Sequence, residues 1–461
     1  MLKHGAALAL FATAPIHAQI MLPPPGQQPP AIDFAHDSLL VFLAADSATD
    51  SFRTAVAEAV MRHPTVREAA ADSDAAAAAR REVRSGLFPG ITASIVASRS
   101  LARDFAGNSA IVESLNPRGR TDAQIGADQL LFDFGATGGR IAGASARLRA
   151  ARADAGQTAT ATTLGAVAAW YQVMGFQTLV DVSAALVERH RAILGDTRTR
   201  VAAGLGTGGD VARADAGLAD AIAAGTRAAQ SLARVRARYR ELFGIEAPLR
   251  PVRPARPASV APDAAVAASM SHATPAVIAA LARTEAEGAE ARAVRGDALP
   301  RLSAGISGIR YDAFRPGNNY DVRGQIVLRQ AFALGGAETA RTDRARARAH
   351  AAGFASDRSI AEAERDASAA FADAHILDAS VAAREDAYRA NRRSRDIMAE
   401  QFRLSRGSLI DLLRAEEQFF AAAEALLQAS IERDLARYTL LGRTGELLPL
   451  FGLHPDRPEK G

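Results

Sequence analysis

Four short segments of the chain alternate apolar and polar residues with a period of two. In the first, Ile91, Ala93, Ile95 and Ala97 fall on one face, with Thr92, Ser94 and Ser98 on the other. The next sets Ala123, Ile125 and Ala127 against Asp122, Gln124 and Asp128. Leu302, Ala304 and Ile306 then oppose Arg301, Ser303 and Ser307, while Val322, Ile326 and Leu328 oppose Asp321, Arg323, Gln325 and Arg329. Such alternation predicts β-strands of roughly 10–12 residues, paired as two hairpins, with one apolar and one polar face.

After each hairpin the period lengthens. No Pro occurs from Gly138 to Gly244 or from Gly336 to Gly442, and each window is rich in Ala, Arg and Glu. Each reads as a long helix, a short break and a returning helix. A helix over 139–203 would extend roughly 100 Å at 1.5 Å per residue. The returning helix spaces Val211, Ala214, Leu218, Ala221, Gly225, Ala228, Leu232, Val235, Tyr239 and Leu242 by threes and fours. That is a heptad seam, and its small residues allow close helix approach. Leu412, Ala415, Phe419, Ala422, Leu426 and Ala429 continue the same phase later in the chain.

The two halves are one unit written twice. Pro64 and Pro275, like Pro89 and Pro300, stand 211 positions apart; Trp170 and Phe371, like Asp210 and Asp411, stand 201 apart. The lost residues fall in the loop between alternating stretches, which is longer in the first copy. A period near 200 is far too long for a solenoid unit. It implies two domain-sized copies building one symmetric object.

The expected organisation is a signal peptide at 1–18, a Pro-rich extension at 19–50, a first repeat at 51–250, a Pro/Arg-rich linker at 251–262, a second repeat at 263–443 and a tail at 444–461. The first repeat holds a hairpin at 89–134, a long helix at 138–203 and a returning helix at 210–244. Their counterparts in the second are 300–333, 336–405 and 408–442. The signal peptide rests on Lys3 and His4, the apolar run from Ala6 to Ala14, and Ile16-His17-Ala18 before Gln19.

Composition narrows the classes. Cys is absent, so disulfides and thiolate chemistry are excluded. The net charge of +4 is small for 461 residues, and Arg is dispersed among Asp and Glu, so no nucleic-acid patch is expected. No stretch of about 20 apolar residues is present to form a transmembrane helix.

The hairpins leave two readings open. Alternation fits a soluble, half-buried hairpin, and it equally fits barrel strands with lipid-facing apolar positions. Phe88, Phe132, Phe134, Tyr311, Phe314, Tyr320 and Phe332 near the strand ends fit the barrel, as does export. Four strands cannot close alone, so a barrel requires an oligomer.

Candidate chemistry is sparse. Gly204-Leu205-Gly206-Thr207-Gly208-Gly209 matches a dinucleotide-binding pattern but continues a helix, not a strand, so it reads as a helix reversal. Asp133-Phe134-Gly135 lacks every kinase partner motif and reads as a strand-to-helix corner. His63, His190, His272, His350 and His375 show no metal-ligand spacing. No catalytic, cofactor-binding or metal-binding residues are expected, and the chain is not expected to be an enzyme.

These features together resemble the outer membrane efflux protein family typified by TolC, over about residues 52–443. Gly204-Leu205 followed by Asp210-Val211 matches the first helix reversal, Ser408-Leu409-Ile410-Asp411-Leu412-Leu413 the second, and Leu131-Phe132-Asp133-Phe134-Gly135 the end of the hairpin. The resemblance implies an α+β membrane protein: a homotrimer with a twelve-stranded outer-membrane β-barrel and a helical coiled-coil tunnel in the periplasm. It further implies a passive duct for type I secretion or multidrug efflux, partnered by a periplasmic adaptor and an inner-membrane transporter. Two departures stand out. The family commonly has Gly where this chain has Ser405, and Arg414 replaces a second acidic residue. Expected gate residues are Asp411, Arg414, Arg403, Arg406 and Asp210, with Asp411 open to a second role as a helix cap. Expected adaptor-docking positions are Gly204, Leu205, Gly206, Ser405, Gly407 and Ser408. The alternative function is a soluble periplasmic coiled-coil scaffold or adaptor.

Overall fold

The computed structural model describes residues 34–44, 49–102, 119–249, 253–317, 319–332 and 334–453. The expected signal peptide, most of the Pro-rich extension, the loop 103–118 and the end of the tail lie outside the described residues. In chain order the elements are α1 (Ser38–Ala44), α2 (Asp50–Arg62), α3 (Pro64–Ser85), β1 (Gly90–Arg99), β2 (Gly119–Phe132), α4 (Ala136–Ala202), α5 (Gly208–Phe243), α6 (Ala264–Met270), α7 (Pro275–Asp297), β3 (Arg301–Arg310), β4 (Tyr320–Arg329), α8 (Ala337–Arg403), α9 (Leu409–Thr444) and α10 (Leu447–Leu450). The fold is α+β: mostly helical, with one small sheet. It divides into two compact units, each taking a piece of both repeats.

The first unit comprises 64–159 and 268–366 and contains the sheet. All four strands pair antiparallel in the order β1-β2-β3-β4. The register sets Ala93 opposite Ile125, Ile125 opposite Gly308, and Gly308 opposite Val322. A direct pair shares a face, so one apolar face runs across both hairpins. β2 is 14 residues long, beyond the expected length, and is irregular between Leu130 and Phe132. In the same unit, Thr274 caps α7 and Pro275 opens it, where the missing N–H costs nothing. Ala279, Ala282, Ala286, Ala289, Ala293 and Gly296 form a buried stripe of threes and fours along it. These small residues bring α7 against α4 backbone to backbone. A Cβ on Gly139 would lie 2.8 Å from the Ala293 nitrogen, and one on Gly296 2.7 Å from that of Ala136. Exposed pairs such as Arg147–Glu290 (3.0 Å) and Arg283–Asp154 (2.6 Å) flank the contact. α3, by contrast, buries none of its residues.

The second unit comprises the described residues up to His63, 160–267 and 367–453. Phe52 of α2 anchors an aromatic cluster, with ring centroids 5.3 Å from Trp170, 6.1 Å from Tyr438 and 5.9 Å from Phe451. Edge-on contacts of this kind add to area burial. The heptad seam of α5 is buried at Ala214, Ala221, Ala228, Leu232, Tyr239 and Leu242, while the remaining seam positions are half-buried. In α9 the seam is wider than its heptad reading. Ala423, not Ala422, is buried, as are Glu416, Leu427, Ser430 and Asp434. The ideal α-helix drifts from a strict seven-residue repeat, and neighbours on two sides broaden the buried stripe.

Candidate functional site

The sheet bears its apolar side chains where nothing covers them. Ile91, Ile95, Ile125, Ile306, Val322, Ile326 and Leu328 are each more than half exposed. Soluble monomers rarely leave a contiguous patch of this kind open to water. The three strand carboxylates, Asp122, Asp128 and Asp321, all fall on the opposite face, where Asp122 pairs with Arg120 at 2.8 Å and Asp321 with Arg323 at 2.5 Å. Among the described residues, the outer edges of β1 and β4 are unpaired, which leaves two ten-residue rows of backbone donors and acceptors. Exposed aromatics mark both ends of the strands: Phe88, Phe132, Phe134 and Phe332 at the helix end, Phe314 and Tyr320 at the loop end.

The strand-to-helix corner is built by Asp133. One carboxylate oxygen accepts from the Thr137 N–H at 2.7 Å and the other from the Gly135 N–H at 3.2 Å, capping α4. Phe134 and Gly135 both take positive φ to make the turn, and the Phe132 and Phe134 rings meet edge-on at 4.7 Å.

The two helix reversals share one geometry in the helical unit. At the first, the Leu205 N–H donates to the Arg200 carbonyl at 2.8 Å and the Gly204 N–H to that of Val201 at 3.0 Å. At the second, Arg406 donates to Gln401 at 2.8 Å and Ser405 to Phe402 at 3.0 Å. Both are Schellman turns, which need a left-handed residue after the helix. Gly204 supplies it at φ 77°, but the second copy places Ser405 there at φ 58°, a conformation that a side chain makes costly. Gly407 is required for a different reason: a Cβ there would stand 2.9 Å from the Cβ of Gln401. The two turns are joined by Arg200, which donates to the Phe402 carbonyl at 2.5 Å and lies over the Phe402 ring. Leu205 and Leu404 project from them, about half exposed or more.

The expected gate residues divide. Asp210 is engaged as a cap: the Thr207 N–H and hydroxyl both donate to its Oδ2 at 2.9 Å, and Arg213 donates to Oδ1. These bonds hold its carboxyl below the usual range, the Thr207 backbone bond being the largest cause. Asp411 is not so engaged. Ser408 caps α9 by accepting from the Ile410 N–H at 3.1 Å, which leaves the Asp411 carboxylate exposed with no bond to any described residue. Arg403 turns back to Glu400 at 2.7 Å, and neither Arg406 nor Arg414 is paired among the described residues.

A second set of charges was not anticipated from dispersed Arg. Arg189 and Glu416, both buried, pair at 2.8 Å, and Arg395 contacts Asp396 at 2.9 Å with its guanidinium over Phe419. Asp37 is fully buried, accepting from Arg392, from the Tyr388 hydroxyl at 3.0 Å and from the Leu39 N–H at 2.9 Å, so the segment around α1 is tied to α8. Burial pushes the Asp396 carboxyl up and the Arg395 guanidinium down. The signal for Arg395 is present in the sequence. Ala367, Ala374, Val381, Tyr388, Arg395 and Phe402 recur every seven residues, and all are buried.

Residues 55–244 match the family model "Outer membrane efflux protein". The chain is 26% identical over 339 residues to outer membrane efflux protein BepC of Brucella suis, covering 71% of this chain and 73% of that protein. Its fold matches a membrane protein from Pseudomonas aeruginosa at a TM-score of 0.76, with 19% identity over 88% of this chain and 92% of that one. It matches the outer-membrane channel OprN at 0.72, with 21% identity over 91% and 99%. The first repeat is thus similar to the outer membrane efflux protein family, the similarity to one such protein runs along most of the chain, and the fold is shared with solved outer-membrane channels.

Proposed function

We propose that the chain is an outer-membrane exit duct for type I secretion or multidrug efflux. The observation that carries this reading is the sheet: an exposed apolar face, a polar face, and two unpaired edges. Three copies joined edge to edge would close a twelve-stranded barrel, satisfying every edge and placing the apolar face in lipid. The strands alternate direction, so β4 of one copy meets β1 of the next antiparallel. The unburied α3 has the same need for a neighbouring copy. The long helices form the periplasmic duct, and the two reversals are where a periplasmic adaptor, carrying an inner-membrane transporter, docks. The exposed sheet face speaks against a soluble scaffold.

The test is fractionation with a gel assay. The protein should sediment with the outer membrane and run unheated as a trimer that boiling collapses to the monomer. Replacing Gly204 or Gly206 with Trp should abolish export without loss of the trimer. A monomer recovered in the soluble periplasmic fraction would overturn the reading.

A further inference from the structure

The apolar face of the sheet is not uniform from one rim to the other. Its helix end carries Phe132, Leu302 and Leu328. Its loop end carries Arg99 and Arg310, which the register places on the same face as Ile95 and Ile306. Both guanidiniums are exposed, and neither is paired among the described residues. Every strand carboxylate lies on the opposite face, and the nearby loop-end cations Arg120 and Arg315 are already matched to Asp122 and Asp312. Arg310 stands level with Ile95 and Arg99 four residues farther along the strand direction; neither is paired among the described residues, and the strand carboxylates point to the other face.

Beside them is a place for an apolar chain. A groove of about 690 Å³ runs over the small residues Ala93 and Ala123, walled by Ile95, Ile125 and Tyr320, with Arg310 lining it at the loop end; Asp321, which also lines it, is paired with Arg323 at 2.5 Å. From Leu302 to Arg310 the strand rises about 26 Å, close to the height of a barrel's apolar band. The Arg310 guanidinium at that height reaches the headgroup layer while its methylenes stay in hydrocarbon, and Arg99 stands about 13 Å farther along the strand direction. All strand ends opposite the loops lead into helices, so if the helices are periplasmic the arginines meet the outer leaflet.

Building on the outer-membrane reading, we propose that this rim binds the phosphorylated headgroup of an outer-leaflet glycolipid, with one acyl chain in the groove. Arg310 and Arg99, two strands and four register positions apart, each supply a forked donor to a separate phosphate of the headgroup. A surface facing two equivalent leaflets would have no reason to place cations at one rim only.

The full chain, purified in a zwitterionic detergent, can be heated with one of three probes: bis-phosphorylated lipid A, the same lipid with both phosphates removed, or pyrophosphate. Only the phosphorylated lipid should raise the unfolding midpoint of the wild type. Arg99→Gln with Arg310→Gln should need roughly tenfold more of it for the same shift, because charge-assisted contacts are lost. Arg310→Lys alone should retain most of the response, and Arg329→Gln, on the polar face at the other end, should match the wild type. An equal shift with dephosphorylated lipid, or an unchanged double variant, would overturn the proposal. A pyrophosphate response equal to the lipid's would also overturn it, since the site would then take a free anion. Fractionation of the wild type separates the two ideas. Absence from the outer membrane defeats the duct reading, whereas outer-membrane protein without phosphate dependence defeats only the lipid site.

Discussion

Charge in this protein acts according to its surroundings, and single residues show it most clearly. Arg189 and Glu416 are an ion pair out of reach of water, so each depends on the other to offset its desolvation. Glu416→Ala should destabilise the protein by about 3–5 kcal/mol, because it leaves a buried guanidinium unpaired. Exposed Glu290→Ala should cost less than about 1 kcal/mol by the same denaturation measurement. Asp411 is the opposite case, an exposed carboxylate that the cap does not use. Asp411→Asn should leave thermal stability unchanged while altering single-channel conductance or cation preference, if three copies approach at a constriction. Unchanged ion selectivity would place the constriction elsewhere. That Asp210 and Asp411 would part company could not be read from the sequence, where they stand in perfect repeat register. The difference lies in the neighbours: the Thr207 backbone and hydroxyl both reach Asp210, whereas Ser408 caps its own helix.

At the scale of elements, periodicity carried most of the information. The strand faces were legible because a period of two has only two outcomes, and the register keeps them continuous across all four strands. The sense of exposure was not legible, since a soluble hairpin has the same alternation. This leads to a paired test. Ile326→Arg should block assembly into the outer membrane, at a cost of roughly 2–4 kcal/mol near the bilayer midplane. Gln325→Arg, one residue away on the polar face, should assemble normally. Equal assembly of both would mean that the faces are reversed or that no lipid contact exists. Helix breaks were equally readable from Gly and Pro, but Ser405 in a left-handed turn was not, because serine carries no mark of that conformation.

For the whole molecule, the buried histidine makes acid stability a test of packing. His190 of α4 lies against Gly217 of α5, where any Cβ would sit 3.1 Å from its Nδ1, and that nitrogen has no hydrogen-bond partner among the described residues. Burial is the main cause that lowers its affinity for a proton; Arg189 adds to this, while Glu416 and Asp220 oppose it. A group whose folded pKa is depressed stabilises the protein above its unfolded value, about 6.5 for His, and loses that contribution as pH falls through the folded value. The unfolding midpoint should therefore drop as pH falls below about 6.5. His190→Gln should flatten that part of the curve, and a wild-type-like pH profile in the variant would assign the loss to other groups.

Duplication, helix and strand identity, the reversal positions and the two-faced hairpins were all determined by the sequence alone, because each is a local or periodic property that neighbours along the chain can express. Tertiary structure alone decided which charges are buried, which of two equivalent aspartates is free, and that the apolar face of the sheet is left uncovered. Those outcomes depend on what residues hundreds of positions away bring into contact: Asp37 meets Arg392, and Arg189 meets Glu416. A linear pattern does not encode the dielectric around a side chain, and it is that dielectric which turns the same Arg and Glu from a solvated surface into a buried pair.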